Sequence, residues 1–125
     1  MGRRIAYWGS TGLTGLALIS ALGYLTGNEQ VVSGFAKAGY PQHLRLVLGV
    51  AKPLAGLVLL LPGLALCKEW AYAGATFAWV MATIAHYSAG DPVTIWIMPV
   101  SLLLLLMVSY FTRPANRRLP ALARV

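Results

Sequence analysis

Lys52 is the residue with the clearest chemical potential, because it lies at the centre of the apolar stretch 44–61. A lysine at the centre of a bilayer costs about 3 kcal/mol on insertion scales. Such a charge is retained when it faces a helix-bundle interior, a wet cavity or a partner carboxylate. Gly49 and Gly56 share the helical face of Lys52 and would let another helix approach closely. The sequence therefore predicts that Lys52 points inward and marks a site.

A second set of polar side chains recurs at spacings of three and four along residues 69–89, which is one face of a helix. Its members are Glu69, Tyr72, Thr76, Trp79, Thr83 and His86. A polar row is costly against lipid, so we expect it to face the bundle interior or a cavity. The predicted ligand-binding set is Lys52, Tyr72, Thr76, Trp79, Thr83 and His86. Ordinary hydrogen bonding within and between helices explains the same row without a ligand.

Four residues are candidates for a catalytic role: Lys52, Glu69, His86 and Asp91. An imidazole near the membrane surface is suited to proton exchange. The two carboxylates are expected at opposite ends of the third hydrophobic segment, so no complete catalytic set emerges. The sequence leaves open whether the protein is an enzyme. It also predicts no metal site, because the two histidines lack further ligands at suitable spacing.

Composition places the chain in a membrane. Of its 125 residues, 58% are hydrophobic and 10% are charged, whereas soluble domains carry about 25% charged residues. The formal net charge is +7, but the basic residues flank the hydrophobic segments, which indicates membrane topology rather than nucleic-acid binding. The single cysteine, Cys67, excludes an intramolecular disulfide and a paired-cysteine redox motif.

Four hydrophobic segments are long enough to cross about 30 Å of hydrocarbon as helices. They are 5–25, 41–61, 69–89 and 92–111. We predict an all-α protein, a transmembrane antiparallel four-helix bundle over residues 1–112, followed by a basic cytoplasmic tail, 113–125. Residues 28–40 are expected to form a short interfacial helix or to fold back over the bundle mouth.

The charge distribution predicts the orientation. One side of the predicted bundle carries Arg3, Arg4, Lys68, Arg113, Arg117, Arg118 and Arg124, whereas the other carries Lys37 and Arg45. Positively charged loops stay in the cytoplasm. We therefore expect both termini to be cytoplasmic.

Two stretches resemble the DoxX-like family. The first is Gly39-Tyr40-Pro41 followed by Leu44-Arg45-Leu46, Gly49 and Lys52. The second is Lys68-Glu69-Trp70-Ala71-Tyr72-Ala73-Gly74 followed by His86 and Gly90-Asp91-Pro92. The resemblance covers residues 7–106. It implies a small four-helix membrane protein, mainly bacterial, from a family named after a subunit associated with a thiosulfate:quinone oxidoreductase. Many relatives carry a lysine near the outer end of the first span, where this chain has Tyr24.

The resemblance and the residues together leave several functions open. The first is a non-catalytic accessory or assembly partner in the membrane, which the small size and the lack of a complete catalytic set favour; the resemblance adds that distant relatives act as assembly chaperones. The second is a quinone- or isoprenoid-binding protein or enzyme subunit associated with redox chemistry. A small transporter is the third, although the first span lacks the carboxylate that couples such pumps to protons. Expected partners are the lipid bilayer and either another membrane protein or a second copy. The sequence identifies no cofactor, and a quinone is the class that the second hypothesis requires. Localisation to a bacterial cytoplasmic membrane follows from the resemblance.

Overall fold

The predicted all-α class is confirmed over the part of the chain that the structure describes. The computed structural model describes residues 1–120, and all regular elements there are helical. Arg124 and the other residues after 120 in the predicted tail lie outside this range. The five α-helices are α1 (Gly2–Ile19), α2 (Glu29–Lys37), α3 (Gln42–Leu60), α4 (Ala65–Ser88) and α5 (Val93–Thr112).

The first hydrophobic segment is not one uniform α-helix. After α1, the chain tightens into a 3₁₀ segment over Ser20–Thr26 and leaves it at Gly27, which has φ +74°. The Ser20 hydroxyl donates a hydrogen bond to the Ala17 carbonyl at 2.6 Å. Such back-bonding by serine competes with regular helix geometry. The tighter segment sets the direction in which Tyr24 projects.

Three helical stretches are long and apolar enough to cross a membrane. They are Gly2–Thr26, Gln42–Leu60 and Val93–Thr112. The 24-residue α4 is about 36 Å long at 1.5 Å per residue. Lys68 and Glu69 lower its hydropathy, as does its polar face. The coarse prediction of a membrane-spanning helical protein holds for three of the four expected segments.

The four long helices pack around one core. α1 packs against α3 and α5, whereas α4 packs against α5 and α3. The core comprises Leu18, Leu59, Ala71, Tyr72, Ala75, Trp79 and Leu106. At the α1–α3 contact, a Cβ on Gly56 would come within 2.7 Å of the Gly15 carbonyl oxygen. The predicted inward role of Gly56 therefore has a direct geometric basis.

The outer face of α4 is bulky and exposed. Trp70, Phe77 and Tyr87 are 72%, 71% and 70% exposed, respectively. On the opposite face, Ala71 and Ala75 are buried in the core. The two faces follow the helical periodicity of the sequence, which places the alanines toward the other helices and the aromatic residues toward the surroundings.

The packed helices have two chemically different ends. At the first, Arg117 donates hydrogen bonds to the Tyr7 hydroxyl at 3.2 Å and to the Leu59 carbonyl at 2.9 Å. The start of α1, the end of α3 and the chain after α5 therefore meet there. We call it the terminal end. The other, the α2 end, contains the 3₁₀ segment, α2 and the turn at Asp91.

Candidate functional site

A cavity of about 320 Å³ lies at the α2 end. Its walls come from the 3₁₀ segment, α2, α3 and α4, and they are largely apolar. Polar and charged groups on this wall are Tyr24, Gln30, Lys37, Tyr40, Lys52, His86 and Asp91. Three of the four catalytic candidates, Lys52, His86 and Asp91, therefore share one cavity, whereas Glu69 lies at the terminal end.

Lys52 enters the cavity beside Tyr24. Its Nζ lies 3.4 Å from the Tyr24 hydroxyl oxygen, a long hydrogen bond, and 5.2 Å from the centre of the Tyr24 ring. An ammonium group beside an aromatic ring is attracted to its electron-rich face. In the described part of the chain, the Tyr24 hydroxyl accepts the one hydrogen bond that the Lys52 ammonium group donates. Because an ammonium group has three donors, donor capacity is left for a ligand.

Gly49 explains why Tyr24 and Lys52 meet. A Cβ on Gly49 would lie 2.7 Å from Leu25 Cδ2 and 3.2 Å from Tyr24 Cβ. The absence of a side chain therefore lets the 3₁₀ segment lie directly on α3, one turn before Lys52. The glycine spacing in the sequence identified this face, but the partner residue was not predicted.

Arg45 also contacts the 3₁₀ segment that carries Tyr24. Its Nη1 donates to the Tyr24 carbonyl, and its Nε donates to Gln42 Oε1 at 2.8 Å. Gln42 in turn donates to the Val32 carbonyl on α2 at 3.2 Å. A chain of hydrogen bonds thus links the 3₁₀ segment, α3 and α2. This chain positions Tyr24 and the helix that covers the cavity.

α2 forms part of the cavity cover. Val31 and Phe35 of α2 line the cavity, and the Phe35 ring packs edge-on against Tyr24 with centroids 5.6 Å apart. None of the residues of α2 is fully buried. The Asn28 side chain caps this helix by accepting from the Gln30 backbone N–H at 2.8 Å. α2 is therefore a capped helix that packs against the cavity without fully burying any of its own residues.

Asp91 joins α2 to the end of α4. Its carboxylate accepts from Lys37 Nζ at 2.6 Å and lies 2.7 Å from His86 Nδ1. The hydrogen bond from Lys37, supplemented by His86, holds the pKa of the Asp91 carboxyl below its ordinary value. A cap on α5 is not its role, because Pro92 occupies the N-cap and no side-chain hydrogen bond is made there.

The alanine row of α4 makes room for the cavity. Ala78, Ala82, Ala85 and Ala89 line it, although they continue the row that begins with the core residues Ala71 and Ala75. Larger side chains on these four positions would fill the space. The row therefore packs against other helices in its first half and borders empty volume in its second half.

The remaining predicted ligand contacts lie elsewhere on α4. Tyr72 and Trp79 are buried in the core, and neither lines the cavity. The hydroxyls of Thr76 and Thr83 donate to the carbonyls of Tyr72 and Trp79, one turn earlier, at 2.7 and 2.8 Å. Of the predicted set, the structure brings together Lys52 and His86. A ligand contact by the other four stays a prediction.

The terminal end is held by a dense set of polar contacts. Glu69 forms an ion pair with Arg113, whose guanidinium also lies 4.0 Å from the centre of the Tyr110 ring. Ser109 lies 2.6 Å from both the Thr11 and the Tyr72 hydroxyl oxygens. These polar groups are ion-paired or hydrogen-bonded with one another. Glu69 therefore has little capacity left to take part in a reaction. Glu69 is better suited to holding helices together.

Lys68 has a structural position that its sequence context did not reveal. It is fully buried, and its Nζ donates to the carbonyls of Val58 at 2.6 Å, Gly63 at 2.8 Å and Leu61. The last carbonyls of a helix have no partners within the helix. Lys68 therefore caps the end of α3, in addition to carrying one of the charges that indicate topology.

The profile of the DoxX-like family matches residues 3–109. The chain belongs to the DoxX-like family. This confirms the resemblance seen in the sequence, and together with the apolar helices it makes the chain an integral membrane protein. The matched range contains every residue that lines the α2-end cavity. No curated protein and no solved structure matches the chain.

The cavity of this DoxX-like protein combines an apolar body with polar groups at separate places. Lys52 and Tyr24 offer hydrogen-bond donors on one wall, whereas His86 and Asp91 lie on another. Within residues 1–120, no cluster of His, Cys, Asp or Glu has the size of a metal site. The arrangement is suited to holding a largely apolar molecule by a small polar head.

Proposed function

We propose that this DoxX-like protein binds an apolar molecule with a small polar head, of the quinone or isoprenoid class, in the α2-end cavity. The observation that carries the proposal is the location of Lys52 in a mainly apolar cavity, where its ammonium group donates one long hydrogen bond within residues 1–120. Ligand sites generally consist of an apolar enclosure with a few polar groups that fix orientation. The charge at membrane depth would thus have a functional reason.

Different residues of the cavity would make different contacts with the ligand. Lys52 and the Tyr24 hydroxyl would donate hydrogen bonds to an oxygen of the head group. Asp91, kept ionised by Lys37 and His86, would accept a hydrogen bond only from a head group that carries a hydroxyl, such as a quinol or an isoprenoid alcohol. A quinone would supply two carbonyl oxygens as acceptors, and its isoprenoid tail would lie along the alanine row of α4. Binding of this kind needs no covalent step.

We further propose that α4 is the fourth membrane span of an antiparallel bundle. Its length of about 36 Å exceeds the hydrocarbon thickness, and it packs against α5, the most apolar helix. The arginines at the terminal end support a cytoplasmic location of both termini. We assign the protein to the cytoplasmic membrane of a bacterium on the basis of its family.

A non-catalytic accessory role is the second candidate. The observation that favours it is the exposed outer face of α4, where Trp70 and Phe77 project from the helix. A protein partner or a second copy would bury such aromatic side chains as readily as lipid does. In this case the cavity would be secondary, and Lys52 would be a structural residue.

Native mass spectrometry of the protein, extracted gently from its membrane, distinguishes the two roles. We expect a small molecule at fixed stoichiometry, lost in Lys52→Met and weakened in His86→Ala. Val50→Met on the same helix is the matched control, because Val50 is exposed outside the cavity. This variant should keep the ligand.

Two other results would contradict binding in the cavity. A small molecule retained equally by Lys52→Met and Val50→Met would place it outside the site. A ligand-free protein that carries another polypeptide or a second copy would favour the accessory role.

A further inference from the structure

The terminal end contains a second cavity, of about 390 Å³, that is separate from the proposed ligand site. It lies between the start of α1, the end of α5 and the 3₁₀ turn Ala115–Arg117. Four arginines line it: Arg3, Arg4, Arg117 and Arg118. No acidic side chain is part of this lining, among the residues that the structure describes.

Within residues 1–120, the contacts that position Arg3, Arg117 and Arg118 are made to neutral groups and do not compensate their charge. Arg3 Nη2 and Arg118 Nε donate to the same carbonyl, that of Arg113, at 3.3 and 2.8 Å. Arg117, 7% exposed, donates to the carbonyls of Leu59 at 2.9 Å and Leu60 at 3.3 Å. Carbonyl oxygens orient a guanidinium without neutralising it.

Arg113 shows the contrast within the same end. Its guanidinium forms an ion pair with Glu69 and does not line the cavity. Of the neighbouring arginines, the one on the inner side of the bundle is therefore paired, whereas those on the cavity wall are held by neutral groups. Like charges gathered in this way repel one another, so an anion between them would be favourable.

The residues in and beside the cavity suit a phosphate that carries acyl chains. A guanidinium is planar and presents paired donors that match phosphate oxygens. Trp8 forms part of the wall, with its ring 4.6 Å from the Arg117 guanidinium carbon. Ile5 and Phe111, close to the cavity along the chain, are 67% and 70% exposed. Charged donors for a head group thus adjoin apolar surface for acyl chains.

We propose that the terminal-end cavity binds the head group of an anionic phospholipid, one whose phosphate is not balanced by an amine. The phosphate would lie among Arg3, Arg4 and Arg118, with the acyl chains along the apolar surface of α1 and α5. Basic pockets between membrane helices bind anionic head groups in this way. The site is independent of the ligand proposed for the α2 end.

The experiment measures lipid binding to the purified full-length protein in detergent micelles by native mass spectrometry. Phosphatidylglycerol and phosphatidylcholine with identical acyl chains are compared, since only the former has a net negative head group. We expect one phosphatidylglycerol per chain, bound about tenfold more tightly than phosphatidylcholine. Equal affinity for the two lipids would overturn the proposal.

Arg4→Gln tests the site with little risk to folding, because Arg4 is exposed and makes no side-chain hydrogen bond within residues 1–120. We expect it to reduce the lipid preference several-fold, and Arg4→Gln with Arg118→Gln to abolish it. Lys37→Gln removes one positive charge at the α2 end and is the matched control. A preference that survives the double variant, or falls equally in Lys37→Gln, would contradict the assignment.

A competition experiment distinguishes a bound phospholipid from a bound soluble phosphate compound. Inorganic phosphate and soluble glycerol phosphate are added in large excess over phosphatidylglycerol. We expect the lipid to remain bound, because its acyl chains contribute to binding. Complete displacement by either soluble anion would overturn the lipid assignment and identify a site for free phosphate compounds.

Discussion

The two ends of the helix bundle solve the problem of polar groups in a membrane in different ways. At the terminal end, Glu69 and Arg113 pair with each other, and Ser109 bridges Thr11 and Tyr72. At the α2 end, Lys52 faces a cavity and has one long hydrogen bond to Tyr24, within the described residues. Polar groups that satisfy one another stabilise a fold, whereas polar groups with spare capacity can bind a ligand.

Residues that look alike in the sequence have different roles at the two ends of the bundle. Lys52 and Lys68 are both lysines near apolar segments, but Lys68 donates to three backbone carbonyls at the end of α3. Glu69 and Asp91 are both carboxylates at the ends of hydrophobic segments, but one is paired inside the bundle and the other closes the loop over a cavity. These differences in role depend on which helix ends lie next to each other in the folded protein.

Removing Arg113 should produce the largest loss of stability. Its side chain is 3% exposed and that of Glu69 is 17% exposed, so Arg113→Gln would leave a largely buried carboxylate without its cation. We expect a loss of about 3 kcal/mol in the free energy of unfolding, measured by denaturation in mixed detergent micelles. Glu69→Gln with Arg113→Gln should recover much of this loss, because the uncompensated charge is gone. An unchanged stability of Arg113→Gln would show that the terminal end is not held by this pair.

Gly56→Ala should have the next largest effect. The new methyl group would lie 2.7 Å from the Gly15 carbonyl oxygen, a backbone atom that cannot move away without shifting α1. We expect a loss of about 1–3 kcal/mol, as for other over-packed sites, in the same denaturation measurement. Gly74→Ala on α4 is the matched control, because the added methyl group would meet nothing within 4 Å. Equal effects of the two substitutions would contradict the close contact between α1 and α3.

The contact between Lys37 and Asp91 should have the smallest effect and should depend on pH. Because the pKa of Asp91 is lowered in the folded protein, the contact stabilises the cover above the ordinary pKa of aspartate. The contribution is lost as the pH falls through the lowered value. Amide hydrogen exchange over Glu29–Lys37, corrected for intrinsic rates, should therefore be constant near neutral pH and accelerate in acid.

Asp91→Asn is the control for that pH dependence. It removes the titrating carboxyl, so exchange over α2 should be faster at neutral pH and should lose the acid-dependent step. A wild-type profile without an acid-dependent step, or the same step in Asp91→Asn, would show that Asp91 does not hold the cover.

The sequence predicted the helical segments because each has a long apolar run and clear turn residues. The predicted segment 41–61 corresponds to α3 at Gln42–Leu60, and 92–111 corresponds to α5 at Val93–Thr112. The 3₁₀ segment at Ser20–Thr26 was not predicted. Hydropathy does not distinguish it from a continued α-helix, because the difference lies in local hydrogen bonding rather than in composition.

The site was only partly predictable. Lys52 and His86 were identified by the cost of polar groups in lipid, which is a property of single residues. Tyr24 and Lys37 were not assigned to it, because their roles depend on how the 3₁₀ segment and α2 lie on α3 and α4. Helical periodicity shows on which face of its helix a residue lies. It does not show which residues of the other helices lie at the same level, or at which end of the bundle a long side chain contacts its partner.

Photo-crosslinking of a short-chain quinone or isoprenoid that carries a diazirine tests the central claim most directly. The probe is applied to the full-length protein in micelles, and labelled peptides are mapped by mass spectrometry. We predict labels on cavity residues such as Tyr24 and Met81, with loss of labelling in Lys52→Met and in excess unlabelled compound. Labels confined to exposed outer residues such as Trp70 and Phe77, unchanged in Lys52→Met, would contradict a ligand site at the α2 end.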